Sequence, residues 1–149
     1  MECAEPLVTV SFCSRASRLR LLRSVMRDAA ELAKLDESQT DAMVLAVNEA
    51  CMNVIQHAYG MAPDGRVDVS VIQERGALVI QVRDYADKVD VDQIRSRELD
   101  DIRPGGLGVY LMNTLMDECE FIEPPADGGN LLQMKIFTRE QGEDNDISG

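Results

Sequence analysis

Glu49, Asn53 and His57 follow one another at four-residue steps in the segment NEACMNVIQHAY, Asn48 to Tyr59. On a helix that spacing projects all three side chains from one face. A carboxylate, a carboxamide and an imidazole in a row can serve as base, cation ligand and phosphate contact. The carboxamide oxygen of Asn53 is a hard ligand suited to a Mg²⁺ ion that already holds waters and phosphates, and Glu49 can take a proton from an attacking hydroxyl. Ala46 and Ala50 beside them leave room for an approaching group. A plain solvated face is the competing reading. Asn placed twice inside a helix, at 48 and 53, and the absence of the Glu-to-Lys spacing of an exposed surface weigh against it.

A second cluster lies downstream. Arg103-Pro104-Gly105-Gly106-Leu107-Gly108 puts glycines where a loop turns into a helix. Free amides at a helix N-terminus attract anions, and glycine lets phosphate oxygens come close to the backbone. Turns and caps use the same residues, and no G-x-x-x-x-G-K-[ST] phosphate loop occurs. Between the two clusters, Asp84 closes an apolar strand. It is either a turn residue or an acceptor for an exocyclic amine such as that of adenine.

The elements that must position these groups follow from periodicity. Leu7 to Phe12 reads as a strand with one buried face. Ser14 is placed to cap a helix from Arg15 to about Lys34, with Leu19, Leu22, Val25, Met26, Ala29 and Leu32 on its apolar side. Arg15, Arg18, Arg20, Arg23 and Arg27 occupy its other faces and point to a dimer or partner surface, or to solvent alone. The helix of Glu49 and Asn53 begins near Ser38 and runs through Ala58 to a stop at Gly60, with Val44, Val47, Cys51, Val54 and Ala58 as its core stripe. Arg66–Gln73 and Leu78–Asp84 alternate as a β-hairpin turning at Glu74–Gly76. Tyr85–Arg103 is a charged loop. A helix from Leu107 to Met116, a strand near Glu120–Ile122, a turn at Asp127–Asn130 and a strand Leu131–Phe137 complete the pattern. The fold expected is an α/β two-layer sandwich, a mixed, mostly antiparallel sheet covered on one face by helices.

Composition bounds the function. The chain has 149 residues, 45% hydrophobic, enough for one domain over 1–139, with an acidic tail over 140–149 expected to be disordered. Fifteen basic against 27 acidic residues give a net charge of −12, which repels a nucleic-acid backbone but leaves short-range triphosphate binding open. Cys3, Cys13, Cys51 and Cys119 form no C-x-x-C pair, and His57 is the single histidine, so no zinc spacing exists. No leader-like or membrane-spanning run is present, and free thiols suit a cytoplasmic protein.

The order Glu49-x-x-x-Asn53-x-x-x-His57-Ala58-Tyr59, a strand ending in Asp84, a charged loop and Gly105-Gly106-Leu107-Gly108 resembles the ATPase fold shared by gyrase, Hsp90, histidine kinases and MutL. Within it, NEACMNVIQHAYG and GGLGVYLMNTLMDECEF are most similar to the anti-sigma factor serine/threonine kinases of bacteria. The likeness runs from about Leu7 to Phe137. It implies a Bergerat-type ATP site, with Glu49 as general base, Asn53 as Mg²⁺ ligand, Asp84 as adenine anchor, Gly105, Gly106, Leu107 and Gly108 at the phosphates, and Tyr85–Pro104 as lid. The partners it implies are a sigma factor and an antagonist protein of the STAS type, phosphorylated on serine or threonine; a homodimer is also considered. The chain departs from the pattern at Ala86, where the superfamily usually has glycine two residues beyond the aspartate. A binding module that sequesters its partner without catalysis is the alternative.

Overall fold

A computed structural model describes residues 5–87, 112–125 and 128–138. In chain order the elements are β1 (Val8–Cys13), a 3₁₀ turn (Ala16–Arg18), α1 (Leu19–Leu32), α2 (Glu37–Asn53), a π-helical turn (Val54–Ala58), β2 (Arg66–Glu74) and β3 (Ala77–Asp84). β4 (Glu118–Ile122) and β5 (Asn130–Phe137) follow, and residues 112–115 are helical. The strands form one sheet in the order β1-β2-β3-β5-β4. All four pairings are antiparallel, so the described sheet contains no parallel pair.

Alternation fixes which face is buried. Val67, Val69 and Val71 on β2, Leu78, Ile80 and Val82 on β3, and Leu132, Met134 and Ile136 on β5 join one core with Leu22 and Met26 of α1 and Met43, Val47 and Cys51 of α2. Each large side chain fully buried there contributes roughly 1.5–3 kcal/mol. On the opposite face polar side chains pair across strands beside the buried Val79 and Leu131. Thr9 Oγ1 lies 3.0 Å from Ser70 Oγ. Gln81 Nε2 donates to Gln133 Oε1 at 2.8 Å. Lys135 of β5 reaches Glu74 of β2 at 3.8 Å, across the intervening β3.

Both helix starts have a local cause; that of α1 differs from the sequence reading, while α2 starts at Glu37, near Ser38 as expected. Ser14 does not cap α1. It is buried, its hydroxyl donating to Ala62 O (2.6 Å) and accepting from Gly65 N–H (2.9 Å), so it ties β1 to the loop before β2. α1 therefore begins at Leu19, after the 3₁₀ turn, with no side-chain cap. α2 is capped by Asp36, whose carboxylate accepts from Gln39 N–H at 2.8 Å while Gln39 Oε1 accepts from Asp36 N–H at 3.2 Å. This reciprocal pair satisfies two of the helix's orphan donors. Gln39 Nε2 also donates to Phe137 O at 2.8 Å, which pins the start of α2 to the end of β5.

Among the described residues no helix is long and apolar enough to cross a membrane, and Cys13, Cys51 and Cys119 are free thiols. The readings for the tail and for most of Tyr85–Met116 fall on residues outside those described.

Candidate functional site

α2 carries Glu49 and Asn53 one turn apart, both half-buried. Ala46 and Ala50 are 0% and 1% exposed and belong to the core, so they do not flank the site as open space; the sequence expectation on that point is corrected. The buried stripe is broader than expected, because Met43, Ala46, Ala50 and Ile55 join Val44, Val47 and Cys51. α2 is packed both against α1 and against β3, which leaves only a narrow face for chemistry.

Asn53 is the last α-helical residue, and its Nδ2 is buried with no hydrogen-bond partner among the described residues. A buried amide donor left unanswered costs on the order of 1–3 kcal/mol. It therefore fits an anionic acceptor supplied from outside the described residues, and the carboxamide oxygen beside it is a hard metal ligand. No three His, Cys, Asp or Glu residues converge on a metal among the described residues.

After Asn53 the helix widens. Tyr59 N–H bonds Val54 O, five residues back, at 2.9 Å, the mark of a π turn. Such turns recur at functional sites, and this one lies between Asn53 and Tyr59. His57 on it is exposed, unlike the half-buried Glu49 and Asn53.

Asp84 ends β3 and is 4% exposed, on the helix-covered face. Its Oδ1 accepts from Asn130 Nδ2 at 2.9 Å and from Ala86 N–H at 3.0 Å. Burial pushes the Asp84 carboxyl above its ordinary pKa, partly offset by those two donors and by the neighbouring Arg83. Asn130 stands directly opposite on β5, is 5% exposed, and also donates to Asp87 O at 3.0 Å, so it fixes both the carboxylate and the chain just beyond it. Ala86, the departure from glycine, uses its amide to brace Asp84.

The turn into β5 is shaped to reach this place. Gly129 has φ +89°, and a Cβ there would lie 2.1 Å from Asp84 O. Only glycine lets β5 begin against the end of β3. Arg83 Nη2 donates to Gly128 O and holds the same turn. Asn130 was missed because its meaning comes from register. Across 46 residues of sequence nothing marks it except its place after two glycines.

Tyr59 links the helix to the strand. Its hydroxyl donates to Arg66 O at 2.8 Å and accepts from Tyr85 N–H at 2.7 Å. The end of the π turn is thus bonded to the start of β2 and to the residue that follows Asp84. Gly105, Gly106, Leu107, Gly108 and Arg103 lie outside the described residues.

Residues 12–136 match the histidine kinase-like ATPase domain. The serine-protein kinase RsbW of Halalkalibacterium halodurans is 34% identical over 113 residues, covering 70% of this chain and 67% of that protein. RsbW of Bacillus pumilus is 29% identical, with 95% of this chain and 92% of the other covered. In fold, 88% of the chain overlays the structure of the RsbU and RsbW domains of Rv1364c from Mycobacterium tuberculosis, at a TM-score of 0.63, 17% identity and 32% coverage of that protein. The SiaB–SiaC complex from Pseudomonas aeruginosa gives a TM-score of 0.55 at 13% identity, with 88% and 89% covered. The chain belongs to the histidine kinase-like ATPase family, in the branch of the anti-sigma factor serine/threonine kinases.

Proposed function

We propose that the chain is a cytoplasmic partner-switching kinase that uses Mg-ATP to phosphorylate a serine or threonine of an anti-sigma factor antagonist, and that otherwise holds a sigma factor. The observation that carries the site assignment is the buried, unanswered Nδ2 of Asn53 one turn beyond Glu49, on a helix joined through Tyr59 to the strand end at Asp84.

Asp84 accepts a hydrogen bond from the exocyclic amine of adenine, and Asn130 orients its carboxylate for that contact. Asn53 would hold Mg²⁺ through its carboxamide oxygen, and its Nδ2 would donate to a phosphate oxygen. Gly105, Gly106, Leu107 and Gly108 cradle the phosphates, and His57 meets a phosphate from the exposed side. Glu49 accepts the proton of the acceptor hydroxyl as its oxygen attacks the γ-phosphorus, and ADP leaves. The chemistry Mg²⁺ would supply there is neutralisation of charge on the phosphates. Arg15, Arg18 and Arg20 are exposed on α1 or the turn before it, beside exposed Leu21, and form the partner surface; Arg23 and Arg27 are bonded to Asn48 and Asp41 of α2. Charge reversal at Arg18 and Arg20 is expected to weaken partner binding.

The decisive experiment is calorimetry of Mg-ATP on the wild type and Asn53→Ala, followed by phosphoryl transfer with Glu49→Ala. Micromolar binding lost in Asn53→Ala, and transfer lost with binding retained in Glu49→Ala, are the expected results. Absence of binding in the wild type would refute the reading.

A further inference from the structure

Tyr59 grips the peptide that Asp84 shares with Tyr85. Its ring lies flat on Gly65, where a Cβ would stand 2.6 Å from three ring carbons, so the absence of a side chain at 65 is what admits the phenol. The π turn delivers the ring there, and the hydroxyl uses both of its capacities, donating to Arg66 O at 2.8 Å and accepting from Tyr85 N–H at 2.7 Å. The Tyr59 phenol is raised in pKa, first by burial and in part by the nearby Asp84 and Asp68 carboxylates, which agrees with a neutral hydroxyl beside the strand end.

The same peptide is held from the other side. The Tyr85 ring lies beneath two guanidinium groups, Arg83 at 4.6 Å and Arg66 at 5.4 Å from its centroid. Its hydroxyl donates to Asp68 Oδ2 at 2.5 Å. Asp68 Oδ1 in turn accepts from Ser11 Oγ at 2.6 Å and Arg66 Nε at 3.0 Å. Tyr85 is therefore anchored to β1 and β2 by its side chain and to the end of the π turn by its amide. Asp84 lies between these anchors on one side and Asn130 on the other.

We infer that Tyr59 is a positioning residue for nucleotide binding: without touching the ligand, its hydroxyl fixes where the Asp84 carboxylate stands relative to the helix that carries Glu49 and Asn53. The inference rests on the nucleotide reading of the site. Its ring is anchored independently by Gly65, so the hydroxyl alone carries the registration, and Tyr59→Phe removes it while leaving the packing in place.

The test compares ATP dissociation constants, measured by calorimetry well below the melting temperature, for the wild type, Tyr59→Phe and Asp36→Ala. Asp36 caps the far end of the same helix, so its substitution is a matched destabilisation remote from Asp84. Tyr59→Phe is expected to weaken ATP about tenfold, the loss of one hydrogen bond's worth of alignment, while Asp36→Ala lowers the melting temperature and leaves the affinity unchanged. Gly65→Ala is the second probe: its methyl displaces the ring and is expected to weaken ATP to a similar degree. Unchanged affinity in Tyr59→Phe, or equal losses in Tyr59→Phe and Asp36→Ala, overturns the positioning role while leaving the nucleotide site intact. A wild type that binds no ATP overturns both.

Discussion

Replacing Asp84 by Asn separates stability from binding, because the structure gives the two effects opposite signs. Both bonds to Asp84 are donated to Oδ1, by Asn130 and by Ala86, and a carboxamide oxygen can accept both. What the substitution removes is a buried negative charge, whose cost shows in the raised pKa. The folded protein is therefore expected to gain on the order of 1 kcal/mol, or about 2–4 °C in melting temperature for a chain of this size. For the nucleotide the change is adverse. If Asp84 anchors adenine as proposed, an amide nitrogen in place of its free oxygen cannot accept the hydrogen of the exocyclic amine, and a lost bond to a charged group costs about 1.5–3 kcal/mol, roughly 10- to 150-fold in affinity.

The pH dependence follows from linkage. A folded-state pKa above the unfolded value means that the folded form binds the proton more tightly. The penalty is therefore complete above the raised pKa and disappears as pH falls through it toward the unfolded value of about 3.9. The stability advantage of Asp84→Asn over the wild type should shrink on acidification through that window. Scanning calorimetry at several pH values and titration with Mg-ATP measure the two effects. A variant that melts lower than the wild type and binds ATP equally well would refute the reasoning.

Three further outcomes are expected. Ser14→Ala removes the hydroxyl that bridges Ala62 O and Gly65 N–H, and should cost about 1–3 kcal/mol in denaturant unfolding. Lys34 ends α1 at φ 66° with Leu35 N–H on Ala30 O, so Lys34→Gly should stabilise by roughly 0.5–1 kcal/mol, visible as a higher urea midpoint. Burial pushes Asp68 up, but hydrogen bonds from Ser11, Tyr85 and Arg66 outweigh it and hold its carboxyl below the ordinary value. Its stabilising contribution is present above about pH 3.9 and lost as pH falls through the lowered pKa, so Asp68→Asn should flatten the acid limb of the stability profile.

Local patterns in the chain show most of the architecture. Alternating valines give β2 within a residue, and four-residue spacing puts Glu49 and Asn53 on one helix face, because both depend on neighbours in sequence. The readings failed where a side chain answers to something distant. Ser14 has the composition of a cap, yet its hydroxyl is claimed by Ala62 and Gly65, and the helix starts later as a result. Ala46 and Ala50 look like clearance beside the site but are enclosed in the core. The partnership of Asp84 with Asn130 depends on the register of two strands, and the π turn on where the chain must deliver Tyr59. Neither leaves a periodic trace.

Cys51 has a consequence of a different kind. It sits between Glu49 and Asn53 with no exposed surface, and burial raises its thiol pKa to about 12, so an alkylating reagent finds neither access nor thiolate. Reaction there requires α2 to lift from the core. The labelling rate of this one sulfur, set against the exposed Cys13 as an internal reference, is thus a built-in clock for opening of the very helix that carries Glu49 and Asn53.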